Sequence, residues 1–312
     1  MKIIVTPRGF AKCGLENAEI MKAAGFDVDY NATGLAYTKE EFYRVTEDAD
    51  GVIVGVETVD RAYIDAHPKL KAVVKFGVGT DNIDLEYCKQ KGIFVGRTVG
   101  SNARTVAETA ISFVIADSKN LFDSISNTRN HSWTKMTGYE IQGRTIGIIG
   151  FGAIGKQVAK MASGLGMQVL AYDAYSIDRQ VAEECNVKIT TAEDIIRRSD
   201  FISLHIPLTD ETKDYISLKE IEQMKPNAVL INTARGGIVN ETDLYYALTN
   251  HIIKAAYFDV LTNEPPKQDE PLLSLPNFYL TPHIASRSEE AEKNTATMAT
   301  QIIIEALKND KD

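Results

Sequence analysis

At 312 residues the chain has room for roughly two domains of about 150 residues each. Hydrophobic residues make up 44% and charged residues 25%, a globular balance that excludes disordered, collagen-like and coiled-coil classes. The formal net charge of −9 argues against a nucleic acid or a membrane surface as the main partner, so a small anionic ligand would need focused cations. Cys13, Cys88 and Cys185 lie far apart with no C-x-x-C pair, so neither a disulfide framework nor a zinc or other metal site is expected, which fits a reducing cytoplasm. The N-terminal apolar run is too short for a secretory signal, and no apolar stretch approaches the ~18 residues of a membrane span. A soluble cytoplasmic protein is expected.

Short β-branched runs alternate with helical patterns, as in parallel sheets joined by crossover helices. The first series of strands is expected at Lys2–Thr6, Phe26–Tyr30, Gly51–Val54, Ala72–Phe76 and Ile93–Val95. Helical spacing of Val106, Ala107, Ala110, Phe113 and Val114 predicts one connecting helix over Arg104–Thr128, followed by an irregular excursion, Asn127–Arg144, that holds the only tryptophan, Trp133. A second series follows at Thr145–Ile149, Gln168–Tyr172, Val187–Ile189, Phe201–His205, Ala228–Asn232, Ala255–Val260 and Phe278–Thr281. A final helix, Glu289–Lys308, is expected to pack back onto the first series.

The sharpest local signal is the strand Thr145–Ile149 running into Gly150-Phe151-Gly152-Ala153-Ile154-Gly155 and then an amphipathic helix. In such a loop the first glycine makes the tight turn, the second admits a pyrophosphate and the third lets the helix pack on the sheet. The helix N-terminus then offers unpaired N–H groups to the phosphates. The next strand ends in Asp173, about 20 residues after Gly150, where a carboxylate accepts from ribose hydroxyls and repels a 2′-phosphate. NAD is therefore preferred over NADP.

Ligands of open α/β sheets sit beyond the carboxyl ends of the strands. In the second series those exits carry His205-Ile206-Pro207, Thr233-Ala234-Arg235-Gly236, Asn263-Glu264-Pro265 and Thr281-Pro282-His283 through Ser286. Arginine, glutamate and histidine at neighbouring exits are what hydride transfer to a 2-oxo acid requires. A guanidinium grips the carboxylate and polarises the carbonyl, an imidazole carries the proton, and a carboxylate beside it orients the ring and favours its protonated form. Arg235, Glu264 and His283 are assigned these roles. Singly, each also has a plainer reading, as a loop-satisfying arginine, a surface acid or a packed turn histidine; their shared sheet edge beside the glycine loop favours the catalytic one.

These motifs, together with Gly77-Val78-Gly79-Thr80-Asp81-Asn82-Ile83-Asp84, Asn102 and Val106-Ala107-Glu108, resemble the D-isomer-specific 2-hydroxyacid dehydrogenases over nearly the whole chain. The resemblance implies an α/β protein of two doubly wound parallel-sheet domains: a discontinuous flavodoxin-like substrate domain (1–101 and 286–312) and an inserted Rossmann NAD-binding domain (102–285), with a cleft between them. It also implies a homodimer built partly by the excursion near Trp133. By the same resemblance Arg235, Glu264 and His283 are catalytic, and Val78, Ala153, Ile154, Asp173, Ile206, Thr233, Ala234, Arg235, Asp259 and His283 contact the cofactor. His205, Pro207 and Ser286, at the strand exits, join the cofactor set with Gly150, Gly152 and Gly155. Lys75, Phe76, Gly77, Val78, Gly79 and Arg235 are the expected substrate contacts.

Within the family, the Thr6-Pro7-Arg8 start and the Gly77–Gly79 loop look most like the branch that converts D-3-phosphoglycerate to 3-phosphohydroxypyruvate for serine biosynthesis. Lys75 and Gly55 depart from it by standing where arginines are usual, so a hydroxypyruvate, glyoxylate or D-lactate-type reductase stays open, as does an NAD(H)-sensing corepressor-like protein. A chain ending at Asp312 is expected to lack the regulatory domain that many members carry.

Overall fold

The computed structural model describes residues 1–309; the expected segment 286–312 therefore closes with three residues, 310–312, outside the described ones. The chain divides into two compact units, one of Met1–Asn102 with the chain from Arg287 onward, the other of Ala103–Ser286.

The first unit runs β1 (Lys2–Val5), α1 (Phe10–Cys13), α2 (Leu15–Ala23), β2 (Asp27–Tyr30), α3 (Lys39–Thr46), β3 (Gly51–Val54), α4 (Arg61–Ala66), β4 (Ala72–Lys75), α5 (Leu85–Gln90) and β5 (Phe94–Arg97). Its strands form a parallel sheet in the order β2-β1-β3-β4-β5. The apolar runs of β3 and β4 are buried because helices cover both faces of the sheet. The C-terminal helix, Glu289–Asn309, lays Ala296, Ala299, Ile303 and Leu307 against Ile3, Val5, Ile53 and Val74. The fifth strand starts one residue later than its apolar pattern predicts. Ile93 belongs instead to the end of α5, its N–H donating to Cys88 O at 2.8 Å beyond the left-handed Gly92 (φ 72°).

The second unit opens with α6 (Ala103–Ser118) and α7 (Leu121–Arg129) where one helix is predicted. Asn120 breaks it: its φ of 49° is left-handed, a state that asparagine tolerates better than most side chains, and α7 restarts on its carbonyl. Then come β6 (Thr145–Ile149), α8 (Ala153–Gly164), β7 (Gln168–Tyr172), α9 (Arg179–Glu184), β8 (Val187–Ile189), α10 (Ala192–Arg198), β9 (Phe201–Leu204), α11 (Leu218–Ile221), β10 (Val229–Asn232), α12 (Glu241–Thr249), β11 (Ala255–Phe258), a 3-10 turn (Pro271–Ser274) and β12 (Phe278–Leu280). All seven strands are parallel, in the order β12-β11-β10-β9-β6-β7-β8. The order reverses between β6 and β9, the place where open sheets of this kind hold dinucleotides. One face of the sheet is packed by Ala107, Ala110 and Val114 of α6 with Val158, Ala159 and Ala162 of α8. The other is packed by Ile195, Leu244, Ala247 and Leu248. Among the described residues no helix is long and apolar enough to cross a membrane.

Candidate functional site

At the β6 exit the three glycines have different physical reasons. Gly150 has φ 97° and presses on the next strand's exit, where a Cβ would come within 2.4 Å of His205 O. A Cβ on Gly155 would lie 2.1 Å from Gly150 O, so only glycine lets α8 pack this closely. Gly152 is the reverse case: a Cβ there would meet nothing within 4 Å. It is the N-cap of α8 and provides no side-chain cap, so the first turn's N–H groups face open space. That space and those donors fit a pyrophosphate. Asp173, after β7, is oriented by two backbone donors, Phe151 N to Oδ2 at 2.6 Å and Tyr175 N to Oδ1 at 2.9 Å.

Across the reversal, at the β9 exit, His205 Nε2 pairs with Ser203 Oγ at 2.9 Å, while its buried Nδ1 has no partner within the protein. Thr233 Oγ1, after β10, is likewise buried and unpartnered. One of these atoms belongs to the residue that Gly150 abuts and the other to the neighbouring strand exit, and both suit a polar ligand. Desolvation pushes the His205 imidazole down to about 3. The folded chain therefore refuses a proton that the unfolded chain accepts below the ordinary histidine value of ~6.5. The stabilisation is complete above that pH and is lost as acidity increases towards pH 3, amounting to roughly 3 kcal/mol by pH 4. Urea unfolding of His205→Gln beside the parent at pH 7 and pH 4 should show the variant losing less stability; equal losses would refute the assignment.

The three expected catalytic residues come from successive exits of β10, β11 and β12. His283 and Glu264 meet, Nδ1 donating to Oε2 at 2.6 Å, and the other carboxylate oxygen accepts Leu261 N at 3.0 Å. Both side chains stay partly open to solvent, at 46% and 36% exposure, as groups meant to meet a ligand must. His283 is held with φ 53°, a left-handed conformation that costs a non-glycine residue of order 1–3 kcal/mol. Asp259 enforces it. This buried carboxylate accepts Ile284 N at 2.9 Å, Ala285 N at 2.8 Å and the Thr281 hydroxyl, while its backbone oxygen accepts His283 N at 3.0 Å. Ser286, half-buried, closes the same loop.

Arg235 lies on the β10 exit loop, with Nη1 donating to Ala234 O at 2.7 Å. Its neighbour Gly236 lies flat against the loop that leads to Glu264: a Cβ there would sit 2.0 Å from Leu261 C. That close approach and the buried Asn232 beneath it have no signature in the chain beyond the Asn-Thr-Ala-Arg-Gly-Gly run at a strand end. Ile206 is half-buried and Pro207 exposed at the β9 exit, while Ala153 and Ile154 form the first turn of α8.

In the first unit, the Lys75 ammonium at the β4 exit donates to Gly55 O at 2.5 Å and Asn82 Oδ1 at 2.6 Å. Gly77, at φ 145°, is tied to Thr98 by Gly77 N to Oγ1 at 3.0 Å; Phe76, Val78 and Gly79 are all half-buried beside it. The buried His67 bonds Thr46 and Tyr63 O and is structural.

Residues 111–285 match the sequence profile of the D-isomer specific 2-hydroxyacid dehydrogenase NAD binding domain. The chain belongs to the D-isomer specific 2-hydroxyacid dehydrogenase family. Its relatives include a D-3-phosphoglycerate dehydrogenase of Methanocaldococcus jannaschii, 40% identical over 89% of this chain and 53% of that protein. A glyoxylate reductase of Korarchaeum cryptofilum is 36% identical over 89% of this chain and 86% of its own length. The chain thus spans about half the length of the phosphoglycerate dehydrogenase relative. A solved structure of D-lactate dehydrogenase from Aquifex aeolicus, complexed with NAD and lactic acid, superposes with a TM-score of 0.81 at 26% identity, over 99% of this chain and 96% of that one. The matched segment lies within the second unit and is the family's NAD-binding domain; the glycine loop, Asp173 and α8 fall inside it.

Proposed function

We propose that the protein is an NAD-dependent oxidoreductase that interconverts a D-2-hydroxy acid and its 2-oxo acid. The leading pair is D-3-phosphoglycerate and 3-phosphohydroxypyruvate, which would place it in serine synthesis. The observation that carries the reading is the 2.6 Å His283–Glu264 pair on a loop beside that of Arg235, at the ligand-binding edge of a dinucleotide sheet. When bound, NAD supplies or accepts a hydride. Arg235 grips the substrate carboxylate and polarises the adjacent carbonyl. Glu264 occupies His283 Nδ1, which leaves Nε2 as the nitrogen that gives its proton to the keto oxygen, and that takes one back in the oxidative direction.

A specific observation favours a second reading, an unphosphorylated substrate such as hydroxypyruvate or glyoxylate. The Lys75 ammonium is already bonded to two neutral oxygens, and Gly55 beside it carries no side chain. Exposed Leu121, Phe122 and Ile125 of α7, with Trp133 81% exposed after it, support a homodimer through this surface. The three cysteines are free, which supports a reducing, cytoplasmic setting.

The test is NADH oxidation with phosphohydroxypyruvate, hydroxypyruvate, glyoxylate and pyruvate, on a sample expected to sediment at twice the chain mass. No turnover with any of the four at several pH values would overturn the reading. Lys75→Ala should raise the KM for phosphohydroxypyruvate by about tenfold and spare that for hydroxypyruvate if Lys75 holds a phosphate. A KM unchanged for both selects the unphosphorylated substrate.

A further inference from the structure

We propose that Asn232 is the positioning residue that sets Arg235; this rests on the reading of Arg235 as the carboxylate grip. Asn232 is the last residue of β10, paired between Leu204 of β9 and Phe258 of β11, and it is fully buried. A primary amide without partners at such a depth would be costly. Here both ends of the amide are used on the same short loop: Oδ1 accepts Ala234 N at 3.0 Å and Nδ2 donates to Arg235 O at 2.8 Å. The anchor is itself fixed, since Asn232 O accepts Asp259 N at 2.9 Å.

The two amide bonds hold the Thr233–Ala234 and Arg235–Gly236 peptide units, which bracket the turn at Ala234 and Arg235. From the far side Gly236 abuts the Leu261–Thr262 backbone, so the loop cannot relax towards β11. The guanidinium is in turn bonded to this loop through Ala234 O, which ties Nη1 to the backbone that Asn232 holds. Asn232 has no exposed surface with which to touch a ligand, and its influence on the reaction passes through Arg235.

N232D tests this, because it keeps shape and volume while replacing the Nδ2 donor group with an oxygen. An ionised carboxylate still accepts Ala234 N but confronts Arg235 O with a lone pair, whereas the protonated acid donates again. The ionisable groups at neighbouring strand exits, His205 past β9, Asp259 past β11 and Arg235 itself, are the same in parent and variant. The ratio of the two therefore reports the new carboxyl together with its coupling to these groups. At pH 8, N232D should lower kcat/KM for the 2-oxo acid about 50-fold, chiefly through KM, with NADH affinity held within about threefold. At pH 5.5 the deficit relative to the parent should shrink to about fivefold or less as the new carboxyl protonates. On an Arg235→Ala background N232D should add nothing.

Parent-like kinetics at both pH values, or a deficit that is independent of pH and additive with Arg235→Ala, would overturn the proposal. Should N232D not fold, N232S is read by the ¹⁵N-detected Nε–Hε resonance of Arg235, assigned by its disappearance in Arg235→Ala. A displaced resonance supports positioning, and an unmoved one refutes it. That resonance reads the loop without turnover, so it decides the proposal even if the parent reduces no 2-oxo acid and the functional reading itself fails.

Discussion

Replacing His283 by alanine is expected to lower kcat for 2-oxo acid reduction by about 10²–10⁴-fold while leaving the NADH Kd within about threefold. The asymmetry follows from what the side chain does and what holds its loop. Proton delivery belongs to the transition state, so losing the imidazole removes stabilisation where the keto oxygen gains charge. The loop is fixed by other groups: Asp259 holds Ile284 N, Ala285 N and the Thr281 hydroxyl, none of which involves the imidazole. The surrounding backbone should therefore keep its shape, and alanine should relieve none of the interactions that force φ at 283 to 53°. Steady-state kinetics with phosphohydroxypyruvate or hydroxypyruvate, paired with NADH fluorescence titration, measures both quantities. A loss of less than tenfold in kcat would remove His283 from the proton path, and a large rise in Kd would make it a cofactor residue first.

The parallel strands were legible because the central ones, such as β3, β9, β10 and β11, are short apolar runs covered on two faces, and the crossover helices between them have the alternative period. The break at Asn120 was not legible, since the apolar spacing of α6 continues past it; only the left-handed backbone of one polar residue marks the end. The glycine loop and Asp173 could be read because their spacing follows from the size of one strand–helix–strand unit. Arg235, Glu264 and His283 stand out as candidates from their places at strand exits. What the sequence hides is what keeps those exits rigid. Asn232 is an ordinary polar residue in the chain, and Asp259 is marked by the family resemblance only as a cofactor contact; burial gives the first two amide bonds to the Arg235 loop and the second three bonds to the His283 loop. The lysine at position 75 marks the opposite limit: its charge is visible in the chain, while its engagement by Gly55 O and Asn82 depends on the folded meeting of three separate exits and turns.

Arg235→Lys should be nearly as damaging as Arg235→Ala, although it keeps the charge. A guanidinium presents parallel N–H donors in a plane that matches a carboxylate, and an ammonium on a flexible stem cannot reproduce that fork. Losing one charge-assisted hydrogen bond costs about 1.5–3 kcal/mol, which corresponds to a fall in kcat/KM for the 2-oxo acid of roughly 10- to 10²-fold. The stem matters as well: Nη1 of Arg235 is bonded back to Ala234 O at 2.7 Å, which uses one donor to aim the others, and a lysine that made this bond would have less of its ammonium left for the substrate. Because Asn232 and Gly236 fix the loop independently of the side chain, the variant should fold and bind NADH as the parent does, confining the loss to the oxo acid. The measurement is kcat/KM for both variants beside their NADH affinities, with free guanidinium added to Arg235→Ala as a chemical complement. A lysine variant within threefold of the parent would mean that a point charge suffices and that the fork is not what the site uses.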